Sequence, residues 1–273
     1  MRRDFTGAGL AFASLTLSLA VPAGAHDLWL LAEPPSVAAG ASLHLKAATG
    51  MRFPESLSAV APDRVDGFWV LDAAGDRHEV AGARAEGEFL QADVQVDTPG
   101  VALAALAIKP LTLELTAAEF NEYLEHDGLP QILERRRTLG ELEKSARESY
   151  AKYAKAIVAV GERGPRDLAT RPAGLRLEIV PLRDPGVVGA GEELPVQVLF
   201  EGQPLEGVSV YALAAGAEGY VDGHQTDEKG RTAVPLPAAG LMSLHCIHMR
   251  PHADAGEADW ESFFATISFV TSE

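Results

Sequence analysis

Apolar residues recur at every second position in short runs along much of the chain, and this period constrains the fold more than any other feature. Leu43, Leu45 and Ala47 alternate with Ser42, His44 and Lys46, and Leu90, Ala92, Val94 and Val96 alternate with Gln91, Asp93 and Gln95. Successive side chains on an extended strand point to opposite faces, so this is the period of a half-buried strand. Asp97-Thr98-Pro99-Gly100 breaks the pattern before a continuous apolar run at 101–108. Short strands separated by turns predict an antiparallel sandwich over residues 26–115. The period returns in Leu175, Leu177 and Ile179, and again in Leu194, Val196, Val198 and Phe200. Turn signals at Gly202-Gln203-Pro204 and Thr226-Asp227-Glu228-Lys229-Gly230 divide the later runs. Residues 170–273 therefore read as a second sandwich of about seven strands, immunoglobulin-like or transthyretin-like.

Between these regions the period changes. Thr116 followed by Glu119 is a capping-box signal, and Phe120, Tyr123 and Leu124 then share a helical face. Gly128 and Pro130 stop one helix and start another. Leu139, Leu142, Ala146, Tyr150, Tyr153 and Ile157 keep three- and four-residue spacing with charges between them. The spacing predicts a helical hairpin over 116–160, with a Gly- and Pro-bearing linker at 161–174. The expected fold class is all-β with a helical insertion: two β-sandwich domains flanking a helical hairpin.

Residues 1–25 have the three parts of a cleavable signal peptide: Arg2 and Arg3, an apolar run at 10–21, and Ala23 and Ala25 before His26. This predicts export to the periplasm and a mature chain starting at His26. The apolar run is too short to span a membrane as a mature helix, so no membrane insertion is expected after signal removal. Arg2-Arg3 leaves a twin-arginine route as the alternative to general secretion. A formal net charge of −16, with no basic stripe, argues against nucleic acid as a partner. Cys246 is the only cysteine, so no intrachain disulfide can form in an oxidising compartment.

Cleavage before His26 would leave a free α-amino group beside an imidazole, and together these can close a chelate ring on one metal ion. The amine has a reference pKa of about 7.7 and is partly free to ligate at neutral pH. Imidazole suits nickel, cobalt, copper and zinc. A second cluster of donors lies at His245, Cys246, His248 and His252, with Met249 among them. On a strand His245 and His248 point to opposite faces, Cys246 and His248 share one, and His252 lies beyond Pro251 in a loop. His224 lies in a glycine-bearing loop, and Asp254, Glu257 and Asp259 could orient imidazoles from outside the ligand shell. The chain carries no G-x-S-x-G elbow, P-loop, dinucleotide fingerprint or H-E-x-x-H motif.

Several stretches together resemble a bacterial periplasmic domain family of unknown function, whose members are often described as nickel- or cobalt-uptake-associated periplasmic proteins. They are Ala25-His26-Asp27-Leu28-Trp29-Leu30 after the signal, the segment 120–129, the segment 174–182 with Asp184-Pro185, and Gly202-Gln203-Pro204-Leu205. The later matches are Thr226-Asp227 with Gly230, His248-Met249, and Asp259-Trp260-Glu261-Ser262-Phe263 with Ala265-Thr266. The resemblance covers essentially the whole mature chain. It implies β-sandwich architecture and a metal-uptake role, with His26 and His248 as the matching histidines.

The leading expectation is a non-enzymatic periplasmic binder of a divalent transition metal serving a membrane uptake system. His26 and His248 would be the core ligands, with His245, Cys246 or His252 completing the shell. Two alternatives stay open: a copper histidine-brace oxidase acting on a polymer, and a metal-free sandwich module binding carbohydrate or an envelope protein.

Overall fold

The computed structural model describes residues 26–161, 164–217 and 222–272; the expected signal peptide lies outside the described residues. The first half runs β1 (Asp27–Ala32), β2 (Ser36–Val37), β3 (Ser42–Gly50), β4 (Val65–Leu71), β5 (Arg77–Glu79), β6 (Arg84–Glu86), β7 (Phe89–Gln95) and β8 (Gly100–Leu115). Two helices follow, α1 (Ala117–His126) and α2 (Pro130–Leu139), and then β9 (Ala146–Val160). The second half runs β10 (Leu177–Pro181), β11 (Glu193–Phe200), β12 (Gln203–Pro204), β13 (Ser209–Ala214), β14 (His224–Gln225), β15 (Arg231–Pro235), β16 (Leu241–Pro251) and β17 (Trp260–Val270).

Among the described residues these strands form three layers. The middle layer is a nine-stranded sheet in the order β14-β13-β16-β17-β9-β8-β4-β5, with β2 also paired to β9. One face packs on the sheet β1-β3-β7-β6, and the other packs on the sheet of β10, β11, β12 and β15. Strand β8 shows why it must be central. Ala102, Ala104, Leu106 and Ile108 enter one core, whereas Val101, Leu103, Ala105 and Ala107 enter the other. A strand buried on both faces needs a continuous apolar run, which is what 101–108 supplies.

The chain is thus all-β with a helical insertion, as its patterning predicts. The capping box forms as expected: the Thr116 side chain accepts from the Glu119 backbone, and the Glu119 carboxylate accepts from Thr116 N–H at 2.9 Å. Gly128, just beyond the end of α1, adopts φ +70°, and a Cβ there would lie 2.0 Å from Tyr211 Oη. Both helices cover one end of the middle sheet, burying Phe120, Leu124, Ile132 and Leu133 against Tyr150, Ile247, Trp260 and Phe264.

Two boundaries differ from expectation. The helical segment stops at Leu139, and residues 146–160, expected to complete the hairpin, form strand β9. This strand runs antiparallel to β8 and parallel to β17. Its apolar residues fill both flanking cores, and burial on two faces outweighs the helical spacing. The lysines that suggest a polar helical face, Lys152 and Lys155, are both buried. Lys155 Nζ meets Glu178 Oε1 at 2.5 Å, and Glu178 also accepts from the backbone N–H groups of Ala173, Gly174 and Leu175. The second difference concerns separateness. The middle sheet takes strands from before and after 161–174, so the two sandwiches share a layer instead of standing apart on a linker.

Candidate functional site

Strand alternation sorts the late histidines. On β16, Met242, Leu244 and Cys246 enter the core shared with β10 and β11, and Ile247 and Met249 enter the core under the helices. His248 shares the parity of Cys246 and packs on Phe200 and Phe263, with ring centroids 4.7 and 6.0 Å away. Burial, reinforced by the Arg250 charge, lowers its pKa to about 4. Cys246 is fully buried, and burial pushes its thiol pKa up, so it stays protonated and unreactive. His252 follows β16, and its Nδ1 lies 3.1 Å from the Asp254 N–H.

His245 faces the other way, toward the start of the chain. Its Nδ1 lies 2.8 Å from Asp27 Oδ1, and both side chains are buried. Burial disfavours the charged imidazole, but the Asp27 carboxylate outweighs that effect and the His245 pKa is raised. Next to this pair, β9 contributes Lys152 and Glu148. The Lys152 ammonium donates to the His26 carbonyl, and its nitrogen sits 5.2 Å from the ring centroids of Tyr150 and Phe264. Burial lowers its pKa to about 8. Glu148 accepts from Tyr123 Oη at 3.1 Å and from the Ser262 hydroxyl, and burial raises its pKa to about 7. Thr266 Oγ1 donates to the Leu28 carbonyl at 2.5 Å. Asp127, at the end of α1, is also raised by burial.

The first three residues of the described chain are therefore tied down by side chains from β9, β16 and β17. His26 is half-buried at the mouth of a cleft of about 280 Å³ lined by Leu28, Arg64, Ile108, Tyr150 and Lys152, among others. Burial, aided by the Lys152 charge, lowers the His26 pKa, so its imidazole is neutral at neutral pH. A neutral imidazole is the form that binds a metal ion.

The five residues expected to share a metal ion do not form one site. His26 and His245 lie on either side of Asp27, on the helix-bearing face of the middle sheet. Cys246 and His248 lie on its opposite face, and His252 lies beyond its edge. The His26–His248 pairing is corrected by this geometry: a sheet layer stands between them because the two histidines on β16 differ in parity. Among the described residues, no three His, Cys, Asp or Glu side chains are grouped to hold a metal ion. His224 lies on the short β14, and His126 pairs with Asp127 at 3.0 Å.

Sequence patterning did not single out Lys152, Glu148, Tyr123 or Asp127 for this cluster. The one available signal was charge inside an apolar stretch: Lys152 and Lys155 interrupt a run that otherwise reads as a doubly buried strand.

Comparison with other proteins places the chain in a family but adds no function. No curated protein matches it. Among solved structures, the D0-D1 domain of intimin is 11% identical over 89% of this chain and 97% of its own, with a TM-score of 0.23. FdeC, an Escherichia coli adhesin, is 13% identical over 92% of this chain and 66% of its own, with a TM-score of 0.27. The activated alpha-2-macroglobulin of Escherichia coli is 11% identical over 90% of this chain and 20% of its own, also with a TM-score of 0.27. Scores this low carry no inference about fold or function. The model of a domain of unknown function, DUF4198, matches residues 23–250, which take in His26, Asp27, Glu148, Lys152 and His245. The chain belongs to the DUF4198 family.

Proposed function

We propose that this protein is exported to the periplasm, is cleaved before His26, and binds one divalent transition-metal ion at its new N-terminus on behalf of a membrane uptake system. The ligands at the centre of this reading are the α-amino group and imidazole of His26. The observation that carries it is the anchoring of the terminal segment. Lys152 holds the His26 carbonyl, His245 holds the adjacent Asp27, and the His26 imidazole is kept neutral by partial burial. A chain terminus ordinarily frays, and holding one in place removes part of the entropy cost of closing a chelate ring. The Asp27 carboxylate supplies negative charge beside the site. Nickel and cobalt are favoured by the family resemblance, and intrinsic affinity favours copper.

The test uses protein purified from periplasm, with the mature terminus established by intact mass. Calorimetric titration with nickel, cobalt, copper and zinc should give a single site. A variant carrying one extra residue before His26 should lose that site with every side chain intact, because its amine has become an amide. Equal binding by the extended protein would remove the N-terminus from the site.

A further inference from the structure

The cleft beside His26 has a chemical character of its own. In a chain with 39 acidic against 23 basic residues, no carboxylate among the described residues lines it. Its cations are Lys152 and Arg64, and its carbon walls come from Leu28, Val60 and Ile108. Lys152 is 6% exposed and makes no ion pair among the described residues. One of the three ammonium donors is taken by the His26 carbonyl, and the Tyr150 and Phe264 rings flank the nitrogen. The Asp27, Glu148 and Asp127 carboxylates act on its charge, but none lies within ion-pair distance, and burial still outweighs them. Arg64 donates from Nη2 to the Lys109 carbonyl at 2.7 Å, while its buried Nε has no hydrogen-bond partner. A guanidinium fork and a desolvated ammonium on one cleft are costly unless an anion meets them.

We propose that this cleft binds a small organic acid, with its carboxylate on Lys152 and Arg64 and its carbon chain against Leu28, Val60 and Ile108. Inorganic phosphate shares the oxyanion chemistry but leaves the carbon walls unused, and about 280 Å³ is more room than it needs. Tyr150 and the Thr49 and Ser58 side chains add polar groups at the lining. The inference does not rest on the metal reading, because its cations belong to β9 and the segment before β4. A bound acid would also offset the two positive charges beside His26.

The test is calorimetric titration of metal-free mature protein, in chelator, with acetate, butyrate, glutarate and inorganic phosphate. Butyrate or glutarate should bind at one site, more tightly than acetate or phosphate. Lys152→Met and Arg64→Gln should each weaken that binding about tenfold or more, the loss expected for a charge-assisted hydrogen bond. Circular dichroism establishes that each variant is folded. Arg64 is only half-buried, so Arg64→Gln keeps the test decisive if Lys152→Met does not fold. Three outcomes would overturn the proposal: no heat from any acid at millimolar concentration, unchanged affinity in a folded variant, or phosphate binding as tightly as the acids.

Discussion

His245 Nδ1 lies 2.8 Å from Asp27 Oδ1, so a strand near the end of the chain grips the first residue of the first strand. The contact is buried on both sides, and it is the lock that sets where the terminal segment lies.

Removing one partner of a buried pair leaves the other charge without compensation. His245→Ala should destabilise the fold by about 3–5 kcal/mol, read from urea denaturation at neutral pH. The double variant Asp27→Ala/His245→Ala should cost less than the two single changes added together. Additive costs would mean that the two residues are not coupled.

Glu148 gives the fold a pH signature. Its pKa is raised to about 7 in the folded protein against an ordinary 4.5. Between these values the folded state holds more protons than the unfolded state, so this residue's contribution to stability falls as pH rises from about 4.5 to 7. Glu148→Gln removes the titration. Relative to wild type, it should therefore gain about 3 kcal/mol across that interval. Denaturant titrations of both proteins at each end of the interval check the difference. A parallel pH dependence for the two would show that Glu148 does not titrate there.

The Lys155–Glu178 pair should be asymmetric. Glu178 keeps three backbone N–H donors when Lys155 is removed, whereas Lys155 pairs with no second anion among the described residues. Glu178→Ala should cost about 3–5 kcal/mol. Lys155→Met should cost clearly less, because its aliphatic replacement fills the same buried space. Equal losses would contradict the role assigned to the backbone donors.

His248 should be irrelevant to a metal ion held at His26, because it packs on Phe200 and Phe263 across the middle sheet. His248→Gln should leave nickel or copper affinity unchanged in the correctly processed protein, whereas His26→Ala should abolish it. Calorimetry on the two variants decides this, and a loss of affinity in His248→Gln would restore the ligand set read from sequence.

Local features were legible in the sequence. The alternation of Leu43, Leu45 and Ala47, and that of Leu194, Val196 and Val198, became strands, because a two-residue period has one extended solution. Thr116 and Glu119 formed their capping box, which needs only residues three apart. The opposed directions of His245 and His248 likewise follow from parity along one strand. What the tertiary structure decided was which surfaces those strands meet. Residues 146–160 carry spacing compatible with a helix, and only the cores on both faces made β9 a strand. Lys152 reads locally as a solvated side chain. It is buried beneath His26 because a distant strand, β17, lies parallel beside β9 and the first strand lies over both. Periodicity constrains a residue's neighbours along its own strand, whereas the partner across a layer depends on the order in which strands assemble. For that reason the sequence by itself could nominate His26 and His245, but only the assembled layers could join them through Asp27 and set His248 apart.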